Sequence, residues 1–449
     1  MIVSEGKLSV WEKAGYGLGD FASCIFWQAF TVFLLFFYTD IYGIPAGIAG
    51  TIFLVSRIWD CFFDPIMGMI ADRTKTRWGS FRPYLLWMAI PFGLIGILTF
   101  TTPAFSLNGK VIYAFITYTL MMTVYSAINI PYGALLGVLS SSSRERTSLS
   151  AYKFTFAYLG NLVVSMCTIY LVKYFGKGDQ KTGYQLTVIL YALLSVTLFI
   201  LSFLSVRERV TPPQKEKTAV KTDLKDLLDN KPWILLFVIS LGWVFFSSAR
   251  FAAMIYYFKY FVKDESLTAA YLTIGTIAGI AGVFVTNYLR LFISRKTLFI
   301  AMVLLTSVFS FAGYFVQPAQ TNLLFFYQIL LNFVSGAAPS LIWAMFADTA
   351  DYSEWRTGRR ATGLVFSASS FSQKLGWAIG GALAGWLLSF YGFEANVAQT
   401  AASANGIRLM FSVFPAIGTL IACTVMYFYP LTEKKMREIE EEIKVKKMA

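Results

Sequence analysis

The stretch Arg57-Ile58-Trp59-Asp60-Cys61-Phe62-Phe63-Asp64-Pro65 lies inside a long apolar run. A basic loop, Asp72-Arg73-Thr74-Lys75-Thr76-Arg77-Trp78-Gly79-Ser80-Phe81-Arg82-Pro83, follows it directly. Three ionisable side chains therefore stand where a lipid-spanning helix should carry none, each costing roughly 2.5–3.5 kcal/mol at a helix centre. Positions 57, 60, 61 and 64 repeat at three and four, so the charges share one helical face. That face must look at a pocket or a pathway, not at lipid.

Working outward, the 449 residues are 57% hydrophobic and only 14% charged, far below the roughly 25% of a soluble domain. This composition suits a polytopic membrane protein with about a dozen spans of ~20 residues. Lys and Arg exceed Asp and Glu by 38 to 25. Their placement suits membrane topology better than a nucleic-acid partner, and none is expected. Histidine is absent, which excludes histidine catalysis and histidine metal sites. The four cysteines, Cys24, Cys61, Cys167 and Cys423, sit in apolar runs without paired spacing and read as core residues. The segment Met1–Lys13 is polar and lacks a small-residue cleavage site after an apolar run, so no cleaved signal peptide is expected.

Apolar runs of spanning length fall at about 16–38, 45–71, 84–104, 111–139, 150–173 and 183–205. Six more fall at about 232–261, 268–290, 297–317, 322–347, 362–390 and 405–430. The fold class read from this is an all-α integral membrane protein of twelve transmembrane helices in two six-helix halves. The halves are 1–206 and 232–430, joined by a cytoplasmic linker, 207–231, and followed by a cytoplasmic tail, 431–449. Basic residues crowd the alternate loops that share a side with both termini, so both termini are expected in the cytoplasm of a multi-pass bacterial inner-membrane protein. The tail, with Glu438 to Glu442 among lysines, reads as a charged surface helix.

The first half carries most of the buried polarity. Asp20 lies near the entry of the first span, either as a structural cap or as a pathway residue. In the second span, a buried salt bridge to Arg57 would neutralise one aspartate and leave the other over. Two carboxylates within about 6 Å resist joint ionisation, so a proton or cation is expected at Asp60 and Asp64. In the fourth span Tyr125, Ser126, Asn129 and Tyr132 share a face and read as a wall for a hydroxylated solute. Pro131 and Gly133 are expected to break the helix at that depth. In the second half Arg250 and Lys374 lie inside spans and need an acid or a substrate as partner. Asp72, Arg77 and Arg82 in one loop, with Asp348, Asp351 and Glu354 in the corresponding place of the second half, read as a conformational latch.

These runs, above all Arg57-Ile58-Trp59-Asp60, Asp64-Pro65-Ile66-Met67-Gly68, Thr76–Pro83 and Asp348-Thr349-Ala350-Asp351-Tyr352, resemble the glycoside–pentoside–hexuronide:cation symporters, melibiose-carrier-like members of the major facilitator superfamily. The resemblance runs through essentially the whole chain. It implies that Asp60, Asp64 and Ser126 bind the coupling cation, with Asp60 and Asp64 as metal ligands if the ion is Na+. It places Lys153 near the sugar and Lys374 between sugar and cation. Cys24, Asn129 and Gly133 stand where the melibiose-type pattern has two sugar-binding acids and a tryptophan, so galactoside recognition by paired carboxylates is not implied. Arg250, Lys153 and Lys374 suit an anionic sugar such as a hexuronide, and a neutral pentoside or its oligomer is equally open within the glycoside, pentoside or hexuronide class. The expected function is secondary active sugar import coupled to Na+ or H+ by alternating access. The rival readings are a membrane-embedded enzyme and a sugar sensor on a transporter scaffold. No catalytic residue and no cofactor are expected. The expected partners are a small sugar or glycoside, a monovalent cation and membrane lipid, with the protein a monomer.

Overall fold

A computed structural model describes residues 8–140, 142–209, 226–336, 338–358 and 362–448. The central part of the expected linker, 210–225, lies outside these. Among the described residues the chain is helical throughout, with no strand beyond an isolated bridge between Thr76 and Gly79. Among the described residues ten helical stretches are long and apolar enough to cross a membrane. The third expected span is broken at Met88 into Pro83–Trp87 and Ala89–Thr99, and the eleventh is a helix over Thr362–Phe390.

The helices are numbered in chain order. The first, α1 (Val10–Ala29), starts on a capping box in which Ser9 and Glu12 satisfy each other's backbone N–H groups, and it runs on through π-helical turns at Phe30–Leu34 and Phe37–Ile41. Next come α2 (Ala46–Arg73), the split α3 (Pro83–Trp87) and α4 (Ala89–Thr99), α5 (Leu107–Leu139), α6 (Ser143–Gly176) and α7 (Gln180–Ser205). The second series is α8 (Lys231–Tyr256, extended by a π-helical turn Tyr257–Val262), α9 (Leu267–Leu289), α10 (Arg295–Ala312), α11 (Thr321–Ser335), α12 (Ala338–Thr357), α13 (Thr362–Phe390), α14 (Ala401–Phe411), α15 (Val413–Tyr427) and α16 (Glu433–Met448). The expected break at Pro131 does not occur. The α5 helix is continuous from Leu107 to Leu139 with the proline inside it.

Contacts group the helices into two units. Unit 1 holds the residues up to 209 together with Asp264–Thr273 and Leu388–Ala398. Unit 2 holds 226–263, Ile274–Leu387 and the residues from Gln399 onward. In unit 1 Phe26 packs tilted on Phe30 and edge-to-face on Phe92, while Phe100 takes Phe37 tilted and Phe30 stacked, so these rings join α1 and its π-helical continuation to α4. In unit 2 the core runs through Trp233, Leu236, Phe299, Leu341, Met345 and Phe346. The tail departs from its reading as a surface helix. Met436 and Ile439, three apart on α16, are buried in the unit 2 core, and Trp355 of α12 donates its indole N–H to Glu442 at 2.6 Å. The apolar stripe is narrow and lay hidden among charges.

Candidate functional site

In unit 1, α2 and α5 bring the ionisable face of α2 against the polar face of α5. Asp60 is only 2% exposed, and the Ser126 hydroxyl donates to its Oδ1 at 2.5 Å. One turn earlier the buried Arg57 donates from Nε to the Tyr118 hydroxyl at 3.0 Å. Its guanidinium carbon lies 4.5 Å from the centre of the Trp27 ring. Asp64, half-buried, follows one turn after Asp60. Two neutral pairs flank the row: Ser56 with Thr119 at 2.8 Å, and the Trp59 indole N–H donating to Thr123 at 2.9 Å. A carboxylate this deep in a spanning helix is stable only with a proton, a cation or strong donors beside it. Among the described residues no group of three or more His, Cys, Asp or Glu gathers to hold a metal. A cation at Asp60 and Asp64 would therefore need hydroxyl or carbonyl oxygens as well, and Ser126 is already placed to give one.

Towards α1, the Ser23 hydroxyl donates to Asn129 Oδ1 at 2.9 Å, and the Asn129 amide donates back to the Tyr125 carbonyl at 3.0 Å. The Tyr125 ring lies 5.6 Å from Trp27 and 6.1 Å from Phe92. Asp20 and Cys24 are half-buried on α1, and the charge of Lys153 on α6 reaches both. Tyr132, expected on the solute wall, is instead a packing residue. It is 1% exposed, it stacks on Tyr16 at 4.7 Å, and its hydroxyl donates to the Tyr16 carbonyl at 2.6 Å. Gly19 makes room for it, since a Cβ there would come within 2.6 Å of the ring. Lys153 lies over the same ring at 5.4 Å.

In unit 2 the buried Arg250 donates to the Phe411 carbonyl at 3.1 Å and to Gln328 Oε1 at 2.9 Å, with its guanidinium 4.8 Å from the centre of the Phe411 ring. Its charge is thus spread over carbonyl, amide and ring groups that join α8 to α11 and α14. Lys374 is half-buried on α13. The latch residues have local partners. Arg82 donates to the Phe203 carbonyl at 2.7 Å, while burial and nearby Arg207 hold its guanidinium below the usual arginine value. Arg77 lies over Trp78, and Asp72 is exposed. Asp348 accepts from Arg295 at 3.0 Å. Asp351 and Glu354 lie half-buried one and two turns further along α12.

Trp27 and Tyr118, the two residues that hold Arg57, went unread in the sequence. Their signal was helical spacing: Trp27 is one turn past Ser23, and Tyr118 lies two turns before Tyr125.

Comparison with known proteins identifies the family. The MFS/sugar transport protein family matches residues 15–433. The inner membrane symporter YicJ of Escherichia coli (strain K12) is 37% identical over 438 residues, covering 97% of this chain and 95% of the relative. The isoprimeverose transporter of Lactiplantibacillus pentosus is 35% identical over 442 residues, covering 96% and 91%. The glucuronide carrier protein homolog of Escherichia coli (strain K12) is 30% identical over 439 residues, covering 97% and 96%. Among solved structures, the inward-open xylose transporter XylE from E. coli aligns with a TM-score of 0.63 at 13% identity, covering 96% of this chain and 98% of that one. A bacterial homolog of the human lysosomal transporter Spinster aligns with a TM-score of 0.69 at 11% identity, covering 96% and 97%. These two carry the fold alone. The chain belongs to the MFS/sugar transport protein family, as a multi-pass membrane transporter and not an enzyme.

Proposed function

We propose that this protein imports a glycoside, pentoside or hexuronide together with Na+ or H+ by alternating access of two six-helix halves, 1–206 and 232–430. In this reading 207–231 is the linker, 431–449 the tail, and both termini are cytoplasmic. The observation that carries it is Asp60: a carboxylate 2% exposed, on a spanning helix, with a hydroxyl at 2.5 Å and a second aspartate one turn away. Such a group is neutralised by binding a proton or small cation, and it is charged when empty. Coupling follows if the loaded site is the one that reorients. One charge crossing ~100 mV supplies about 2.3 kcal/mol, enough for roughly 50-fold accumulation. The sugar side is Asp20, Cys24, Ser23, Tyr125 and Asn129 on α1 and α5, where hydroxyl, amide and aromatic groups suit a polyol ring. The names of the relatives, a symporter, an isoprimeverose transporter and a glucuronide carrier homolog, support this solute class.

The test is uptake into energised cells or proteoliposomes. Asp60→Asn or Asp64→Asn should abolish cation-driven accumulation, while sugar exchange across the membrane persists at least in part. Undiminished accumulation in both variants would remove the cation site from α2. Labelled glycosides, pentosides and hexuronides, each assayed with and without Na+ at fixed pH, identify the solute class and the ion.

A further inference from the structure

Arg57 and Asp60 stand three apart on α2, a spacing at which an arginine and an aspartate pair readily. An arginine buried beside a carboxylate ordinarily takes it through two parallel N–H groups. Here the hydrogen bond of Arg57 goes to the Tyr118 hydroxyl, and Oδ1 of Asp60 receives the Ser126 hydroxyl. Arg57 Nη1 is buried with no hydrogen-bond partner. Leaving a guanidinium N–H unpaired at this depth is unfavourable, so something must hold the side chain there.

Two residues do so. Tyr118 packs against Phe53, at 5.0 Å, and perpendicular to Phe30, at 6.0 Å, which fixes its ring with its hydroxyl on Arg57. Trp27 offers its π-face to the guanidinium and is itself backed by Tyr125. A desolvated cation over an indole ring is among the stronger contacts available to an arginine without an acid. The charge of Arg57 thus stays near Asp60 without occupying its oxygens.

We infer that Tyr118 and Trp27 are positioning residues that park Arg57 away from Asp60, so that the coupling cation and not the arginine neutralises that carboxylate. This rests on the reading of Asp60 as part of the cation site. Released from Tyr118, Arg57 turns its unpaired Nη1 onto Asp60 and competes with the ion. The parked arginine therefore sets the cation affinity, and sugar affinity at saturating cation is independent of it.

The experiment measures the cation concentration giving half-maximal sugar uptake, for Na+ at fixed pH and for H+ at fixed Na+. Tyr118→Phe should raise it about tenfold, the worth of one hydrogen bond to a charged group, and leave sugar counterflow at saturating cation unchanged. Adding Arg57→Gln to Tyr118→Phe should remove the competitor and return the value to that of the unaltered protein. A purely structural tyrosine would show no such rescue. The inference is overturned if Tyr118→Phe leaves the cation dependence unchanged, or if the double variant stays as weak as the single one. Where Tyr118→Phe shows no counterflow, Trp27→Leu, alone and with Arg57→Gln, is read in the same way and by the same criteria. If the unaltered protein answers to neither cation, the symport reading fails first. If it answers and the rescue is missing, only the parking of Arg57 fails.

Discussion

The two units tie down the start of their third helix with the same parts, arranged differently. In unit 1 Glu208, just past the end of α7, accepts the backbone N–H groups of Ser80, Phe81 and Arg82 at 2.9, 2.7 and 2.8 Å, all ahead of α3. In return Arg82 donates its side-chain N–H to the Phe203 carbonyl near the end of α7. In unit 2 Glu433, just past the end of α15, accepts the Arg295 backbone N–H at 3.0 Å at the start of α10. In return Lys296 donates to the carbonyls of Tyr427 and Tyr429 at 2.9 and 2.7 Å. Each pairing satisfies the bare N–H groups of one helix start and the bare carbonyls of another helix end. The difference lies in what the glutamate grips. Glu208 holds a whole turn of backbone, whereas Glu433 holds one N–H and leans on Arg295, which is also bound to Asp348. The first arrangement is a short-range grip on peptide dipoles, and the second is a shared ion network.

The largest test of that contrast is deletion of each carboxylate. Glu208→Ala leaves three backbone donors without their acceptor and should cost about 2–4 kcal/mol of unfolding stability. Glu433→Ala removes one backbone contact and a half-exposed ion pair and should cost about 1 kcal/mol. Thermal unfolding of the purified protein in detergent gives both values. Equal losses would erase the distinction between the two grips.

Gly79 sharpens the unit 1 side. Its φ of +109° is open to glycine and strained for other residues, and a Cβ on it would lie 2.3 Å from the Glu208 carboxyl carbon. Gly79→Ala should therefore cost about 2 kcal/mol, combining backbone strain with displacement of the carboxylate. In a Glu208→Ala background only the strain remains, so the two losses should fall short of additivity. Full additivity would mean that the loop is held by something other than Glu208.

These grips were invisible in the sequence, although the helical class and the polar face of α2 were legible. Asp60 and Ser126 are 66 positions apart, yet each stands out because a charge or hydroxyl interrupts an apolar run. Glu208 and Glu433 lie in polar segments where a glutamate is ordinary, and their partners sit more than a hundred positions away. Trp27 and Tyr118 were missed for the opposite reason, because an aromatic inside an apolar span excites no notice until an arginine is found on it. Pro131 alone does not show in the sequence whether a spanning helix breaks at it, and α5 runs through it unbroken, with the next residue, Tyr132, stacked on Tyr16.

The smallest effect is the response to salt, and it separates the grips by mechanism. Raising ionic strength from about 0.1 to 1 M shortens the screening length from about 10 to 3 Å. The Arg295 contacts to Asp348 and Glu433, at 3.0 and 3.9 Å with side chains 14–39% exposed, are open to that screening. The Glu208 contacts are hydrogen bonds of 2.7–2.9 Å to backbone N–H groups, where no ion intervenes. The stability gap between the parent and Glu433→Ala should therefore shrink by about half, a few tenths of a kcal/mol, while the gap for Glu208→Ala holds. Choline chloride is the salt to use, because Na+ is itself a candidate ligand and would stabilise the parent by binding. A Glu208 gap that closes with choline chloride would mean that its grip, too, is chiefly one of charge, with Arg82 and Arg207 in place of the peptide dipoles.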